Sequence, residues 1–120
     1  MENFEVIFYR KRNGECPVED FLLSLDKKMR AKIVKEISLL ELEGNMLRQP
    51  FSKHLEDGIF ELRAKTGTNI TRVLYFFYIG RKIVLTNGFV KKTQKTPISE
   101  IRIAKAYRSD YLQEQEEDRK

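Results

Sequence analysis

Tryptophan is absent, cysteine and histidine occur once each, and only three prolines and six glycines punctuate 120 residues. A lone Cys16 has no internal disulfide partner, and one cysteine with one histidine does not close a zinc site, so neither staple supports the fold. Stability must come from packing. The longest uncharged apolar run, residues 73–79, is far shorter than the roughly 20 residues a membrane-spanning helix needs. The amino terminus, Met1-Glu2-Asn3-Phe4-Glu5, opens on acids and lacks a basic region followed by an apolar one. The expectation is a cytoplasmic protein without membrane association. The length fits one domain and excludes a multidomain enzyme.

Against these absences stand 41% hydrophobic residues, eight Phe and five Tyr, enough to build a core despite 34% charged residues. The net charge of +5 hides an asymmetry. Residues 113–120 carry four acids and two bases, whereas residues 81–108 carry eight bases and the single acid Glu100. A late basic cluster points to a polyanion, most simply nucleic acid, although such clusters are often just solvated faces.

Phe4 to Tyr9 alternate in strand fashion and run into the turn Arg10-Lys11-Arg12-Asn13-Gly14. Pro17 suits the first position of a helix with Val18, Phe21, Leu22 and Leu25 on one stripe. A second helix starts at the N-cap Asp26, places Met29, Ile33, Ile37 and Leu40 on one face, and ends at Gly44-Asn45. A polar connection containing Pro50 leads to three strands, at 58–63, 70–79 and 82–90. The last two are joined by a two-residue hairpin at Gly80-Arg81. Thr96-Pro97 supplies a cap and first-turn proline for a last helix bearing Ile101, Ala104, Tyr107 and Tyr111. The expected architecture is α+β, in the order β-α-α-β-β-β-α, a mostly antiparallel sheet with helices on one face. Residues 1–112 form the domain, and 113–120 a charged, frayed tail.

Four features carry possible chemistry. Arg63, in Phe60-Glu61-Leu62-Arg63, alternates away from Phe60 and Leu62, so it can grip a phosphate bidentately or simply pair with Glu61. Arg72 opens the otherwise apolar strand Val73-Leu74-Tyr75-Phe76-Phe77-Tyr78, where a charge must find solvent, an acid or an anion. On adjacent antiparallel strands the two arginines can converge into an anion site. Lys91, Lys92 and Lys95 follow a strand end, where lysine can hold phosphate or, desolvated, transfer protons; a solvated loop is the plain alternative. His54, the only histidine, can act as acid or base near neutral pH or be an ordinary surface residue.

Lys53-His54-Leu55, Gly58-Ile59-Phe60-Glu61-Leu62-Arg63, Thr71-Arg72-Val73-Leu74-Tyr75 and Gly88-Phe89-Val90-Lys91-Lys92-Thr93-Gln94-Lys95-Thr96-Pro97 occur in this order. Together they resemble the phage-derived HigB-like branch of the RelE/ParE toxin superfamily over nearly the whole chain, and the lysine stretch is the most specific part. The resemblance implies a small α+β toxin of a type II toxin-antitoxin module, neutralised by a helix-turn-helix (HigA-like) antitoxin through which alone it would meet operator DNA. It also implies cleavage of mRNA, on the ribosome, by an endoribonuclease without metal or other cofactor. In such cleavage the ribose 2′-hydroxyl attacks the adjoining phosphate, which requires charge stabilisation and proton transfer at two oxygens. By residue match, Arg63 and Arg72 serve the scissile phosphate, Lys92 acts as a further base or phosphate ligand, and His54 can move a proton. Lys53, Lys91 and Lys95 then hold the RNA backbone. One position departs from the pattern: Asn87 stands where many relatives have histidine, and asparagine carries no titratable proton. His54, Tyr75 or Tyr78 would then have to serve, or activity would fall. A ParE-like gyrase inhibitor and a non-catalytic nucleic-acid binder are the competing readings, since both keep the basic face.

Overall fold

The computed structural model describes residues 3–91 and 95–119. Its elements are β1 (Glu5–Phe8), α1 (Pro17–Ser24), α2 (Lys27–Glu43), a short 3-10 turn (Gly44–Met46), β2 (Ser52–Glu56), β3 (Ile59–Thr66), β4 (Asn69–Tyr78), β5 (Lys82–Lys91) and α3 (Ile98–Asp118). They form the expected α+β domain around one sheet of order β1-β5-β4-β3-β2. Among the described residues only β1 runs parallel to its neighbour, β5; the other pairs are antiparallel.

The helical signals act as their chemistry dictates. Pro17 opens α1. The Asp26 side chain accepts from the Met29 backbone N–H at 2.8 Å, and Gly44 closes α2 with a φ of +53°, a conformation strained for other residues. Val18, Leu22, Met29, Ile33, Ile37 and Leu40 pack with Leu62, Val73, Tyr75, Ile83 and Leu85 on one sheet face. Burying each such aliphatic side chain contributes about 1.5–3 kcal/mol. Gly88 lets α1 sit close to β5: a Cβ there would lie 2.5 Å from the Phe21 ring.

Four local expectations are corrected. Helices cover both faces of the sheet, not one: α3 packs Ala104 and Tyr111 against Ile59, Leu74, Phe76 and Val84, the opposite alternation set. The continuous apolar run of β4 has this cause, because a strand buried on both sides needs no polar face. Next, Ser52–Glu56 is an edge strand rather than a connection. Lys53, His54 and Glu56 are exposed, so the segment lacks the apolar alternation that marks a strand, and backbone pairing to β3 makes it one. The β4–β5 loop has three residues, since Tyr78 pairs with Lys82, and both Gly80 and Arg81 take positive φ. Finally, α3 continues through the stretch expected to fray. Arg12 pairs with Glu117 at 2.9 Å and Asp110 at 3.1 Å, and Tyr9 donates to Asp110 at 2.6 Å, tying this helix to the turn after β1. Among the described residues no helix is long and apolar enough to cross a membrane.

Candidate active site

Alternation along β3 sends Leu62 and Ala64 toward α1 and α2, leaving Glu61 and Arg63 on the face toward α3. The antiparallel register then makes Arg63 and Arg72 direct cross-strand partners. Like charges in this arrangement repel. Glu61 answers both: Oε2 lies 3.4 Å from Arg63 Nε, and Oε1 lies 3.9 Å from Arg72 Nε. Arg72 is fully buried and Glu61 is 1% exposed, whereas Arg63 is half-buried. Burial pulls the Arg72 guanidinium below the usual arginine range; Glu61 pushes it back up, and Arg63 adds to the lowering. An arginine remains protonated at neutral pH even so.

Thr96 completes this cluster. Its hydroxyl donates to Glu61 Oε1 and accepts from Arg72 Nη1 at 3.2 Å. The expectation of Thr96 as a helix cap is therefore corrected: Pro97 holds the N-cap position of α3, without a side-chain cap bond. The hydroxyl is instead committed to the buried charges, which need partners more than a helix end open to water does.

A bulge shapes the third strand of the site. Leu74 pairs with Asn87 but Tyr75 pairs with Leu85, so Thr86 is the extra residue on β5. Without it Asn87 would face α1; with it the side chain turns toward α3. Asn87 Nδ2 donates to Glu100 Oε1 at 3.1 Å and to the Glu100 carbonyl at 3.3 Å, while Thr86 Oγ1 donates to Asn87 Oδ1 at 2.7 Å. Asn87 thus links the sheet to the first turn of α3.

A cleft of about 310 Å³ opens beside the cluster, between β2 and the start of α3, with Lys53, Glu61, Lys95, Thr96, Ile98 and Ile101 on its walls. Lys53 is the register partner of Glu61, and both Lys53 and Lys95 are exposed. The mouth of the cleft is basic, and Glu61 and Thr96 on its wall join it to Arg72 through hydrogen bonds and to Arg63 through an ion pair. Among the described residues no group of three His, Cys, Asp or Glu side chains gathers in a metal-binding arrangement.

The structure brings together Arg63, Arg72, Lys53 and Lys95 of the residues chosen from sequence. His54 borders the same cleft, but its register partner is Phe60, its ring lies 4.9 Å from the Phe60 ring, and its Nε2 accepts from the Gly58 backbone N–H at 3.2 Å. Lys92 lies outside the described residues, and Lys91 is placed only by its backbone pairing to Ile70. Tyr75 faces the α1–α2 layer, where it bonds to Ser52 Oγ and burial pushes its phenol up to about 12; Tyr78 packs on Tyr111. Sequence reasoning treated Glu61 only as a possible pairing partner and missed the site roles of Thr96 and Glu100. The i, i+2 spacing of Glu61 and Arg63 was the available signal for the first. The other two depend on how α3 returns to the sheet.

Residues 20–109 match the family model described as phage derived protein Gp49-like (DUF891). No curated protein matches the chain.

Proposed function

Because the chain belongs to the phage-derived Gp49-like family, we propose that it is the toxin of a type II toxin-antitoxin module, of the HigB-like kind, and that it cleaves mRNA on the ribosome without a metal. The observation that carries this reading is the direct Arg63–Arg72 pair, held around Glu61 behind a basic cleft. Two guanidiniums at one point match the charge of a phosphate passing through its extra-anionic transition state, where fixed donors are worth most.

In the proposed reaction the ribose 2′-oxygen bonds to the adjoining phosphorus and the bond to the 5′-oxygen breaks, leaving a 2′,3′-cyclic phosphate and a free 5′-hydroxyl. Arg63, the more open guanidinium, takes the non-bridging oxygens, and Arg72 stabilises the added charge from behind. Glu61 is a positioning residue: it keeps two like charges side by side before RNA arrives. Lys53 and Lys95 hold the flanking backbone, with Lys91. Lys92 handles proton transfer or phosphate binding, by its match to the lysine stretch. His54 is a weaker choice because its Nε2 is already engaged by Gly58. A helix-turn-helix antitoxin is the proposed partner.

The test is cell-free translation of a reporter mRNA with mapping of new 5′ ends, comparing wild type, Arg63→Ala and Lys92→Ala, with free RNA as a separate arm. Cuts confined to translated message and reduced by either substitution support the proposal. Folded, antitoxin-free protein that makes no cuts defeats it; gyrase-dependent DNA damage would then identify a ParE-like toxin, and salt-sensitive binding alone a passive nucleic-acid binder.

A further inference from the structure

Glu61 divides its carboxylate between two sides. Oε2 faces Arg63 Nε at 3.4 Å, whereas Oε1 accepts from the Thr96 hydroxyl and lies 3.9 Å from Arg72 Nε. The same Thr96 oxygen accepts from Arg72 Nη1 at 3.2 Å. One atom thus donates to the acid and accepts from the base, a pair of roles that a hydroxyl provides. Thr96 is only 6% exposed, which leaves little access for water to take its place.

Its place in the chain gives this contact a second consequence. Lys95, directly before Thr96, is exposed and lines the cleft, and Ile98, the first residue of α3, lines it from the other side of Pro97. Successive Cα atoms are about 3.8 Å apart, so anchoring Thr96 fixes where the Lys95 backbone leaves the cluster. The cleft wall opposite β2 is therefore indexed on the arginines through one hydroxyl. Docking of α3 has other supports. Asn87 holds Glu100 at 3.1 Å, Lys105 Nζ pairs with Glu56 at 2.6 Å, Arg108 Nη2 pairs with Asp57 at 2.8 Å, and Ala104 and Tyr111 pack on the sheet. Removal of the Thr96 hydroxyl consequently disturbs the charged cluster and leaves the helix in place.

We propose that Thr96 is a positioning residue for phosphate recognition: its hydroxyl holds Glu61 Oε1 on the Arg72 side, which keeps Arg63 available to the RNA phosphate and sets Lys95 beside the same group. The role rests on the ribonuclease reading for its substrate. Without the hydroxyl, Glu61 loses a donor and turns more fully to the guanidiniums, where it competes with phosphate for Arg63. Arg72 at the same time loses an acceptor in a site closed to solvent.

The experiment titrates inorganic phosphate into the full-length ¹⁵N-labelled protein and follows the Arg63 Nε–H resonance, assigned by its loss in Arg63→Ala. Wild type is compared with Thr96→Val, which keeps the shape without the hydroxyl, and Thr96→Ser, which keeps the hydroxyl. Each is checked by circular dichroism and thermal unfolding, and Thr96→Ala is the second hydroxyl-free variant if valine disturbs the fold. Thr96→Val is expected to bind phosphate about tenfold more weakly, and Thr96→Ser to stay within about threefold of wild type, as loss of a hydrogen bond to a charged group implies. In parallel, cutting of reporter mRNA on programmed ribosomes is measured across ribosome concentrations. Thr96→Val lowers the saturating rate about tenfold and changes the half-saturating concentration less than about twofold, since the scissile phosphate is gripped most tightly in the transition state; Thr96→Ser restores the rate. Wild-type phosphate affinity in Thr96→Val, or no Arg63 response to phosphate in wild type, overturns the role. A serine variant as weak as the valine one also overturns it, because packing would then be the cause. Wild type that binds phosphate but cuts no message defeats the ribonuclease reading, and the phosphate comparison still decides the role of Thr96.

Discussion

Arg63 and Arg72 face each other across β3 and β4, and the Glu61 carboxylate lies 3.4 Å from the first and 3.9 Å from the second. Two positive charges are thus built into adjacent strands, one of them fully buried, and Glu61 pairs with both. Glu61→Gln is expected to lower stability by about 3 kcal/mol, because breaking a buried pair leaves charge uncompensated. Added phosphate should recover part of this loss by occupying the arginines in the folded state. Urea titrations with and without phosphate read both effects. Unchanged stability of the variant would remove Glu61 from this role.

Arg63→Ala separates chemistry from folding better than any change at Arg72. The half-buried Arg63 can be truncated without emptying the core, so melting temperature should change little while cleavage of translated mRNA falls about 100-fold or more. Arg72→Lys removes the planar fork from a fully buried site and should depress both activity and stability. If Arg63→Ala cuts at the wild-type rate, phosphate binding belongs elsewhere in the cleft.

Glu36 gives a pH dependence with a defined sign. Its folded pKa is raised above the ordinary 4.5 by burial, with Lys32 and Lys35 opposing. The folded state therefore holds this proton more tightly than the unfolded chain, and the associated stability is fully present below pH 4.5 and lost as pH rises through the folded value. Glu36→Gln, neutral throughout, should be more stable than wild type at pH 7 by on the order of 1 kcal/mol, with the gain vanishing near pH 4. A gain of equal size at both pH values would show that proton binding is not the cause.

Gly88→Ala probes the contact between α1 and β5. The new Cβ would fall 2.5 Å from Phe21 Cδ2, so the ring and helix must shift. A loss of about 1–3 kcal/mol is expected from such overpacking, read as a lower urea midpoint at unchanged slope. Phe21→Leu in the same background should relieve part of it.

Much of the local structure was legible in the chain because its causes are local. Pro17, Asp26 and Gly44 mark helix ends through backbone geometry and hydrogen bonding that involve only near neighbours. The stripe from Met29 to Leu40 and the apolar run of β4 report burial directly. Arg72 could be singled out as a charge in a strand that is otherwise apolar, and Arg63 by its alternation with Phe60 and Leu62. Edge strand β2 escaped notice because its order comes from backbone pairing to β3 and leaves little trace in side-chain pattern.

By itself, then, the sequence determined the α+β class, the limits of α1 and α2, the basic surplus and the two arginines as candidates, since composition, capping and periodicity act over a few residues. Only the tertiary structure decided that Arg63 stands opposite Arg72, that one bulge residue turns Asn87 toward Glu100, and that Thr96 serves buried charges instead of a helix end. Those facts depend on strand register and on the return of α3 across the sheet. Register shifts by one residue reverse every side chain on a strand, and nothing within a single segment fixes it; the packing of both helical layers against the sheet does.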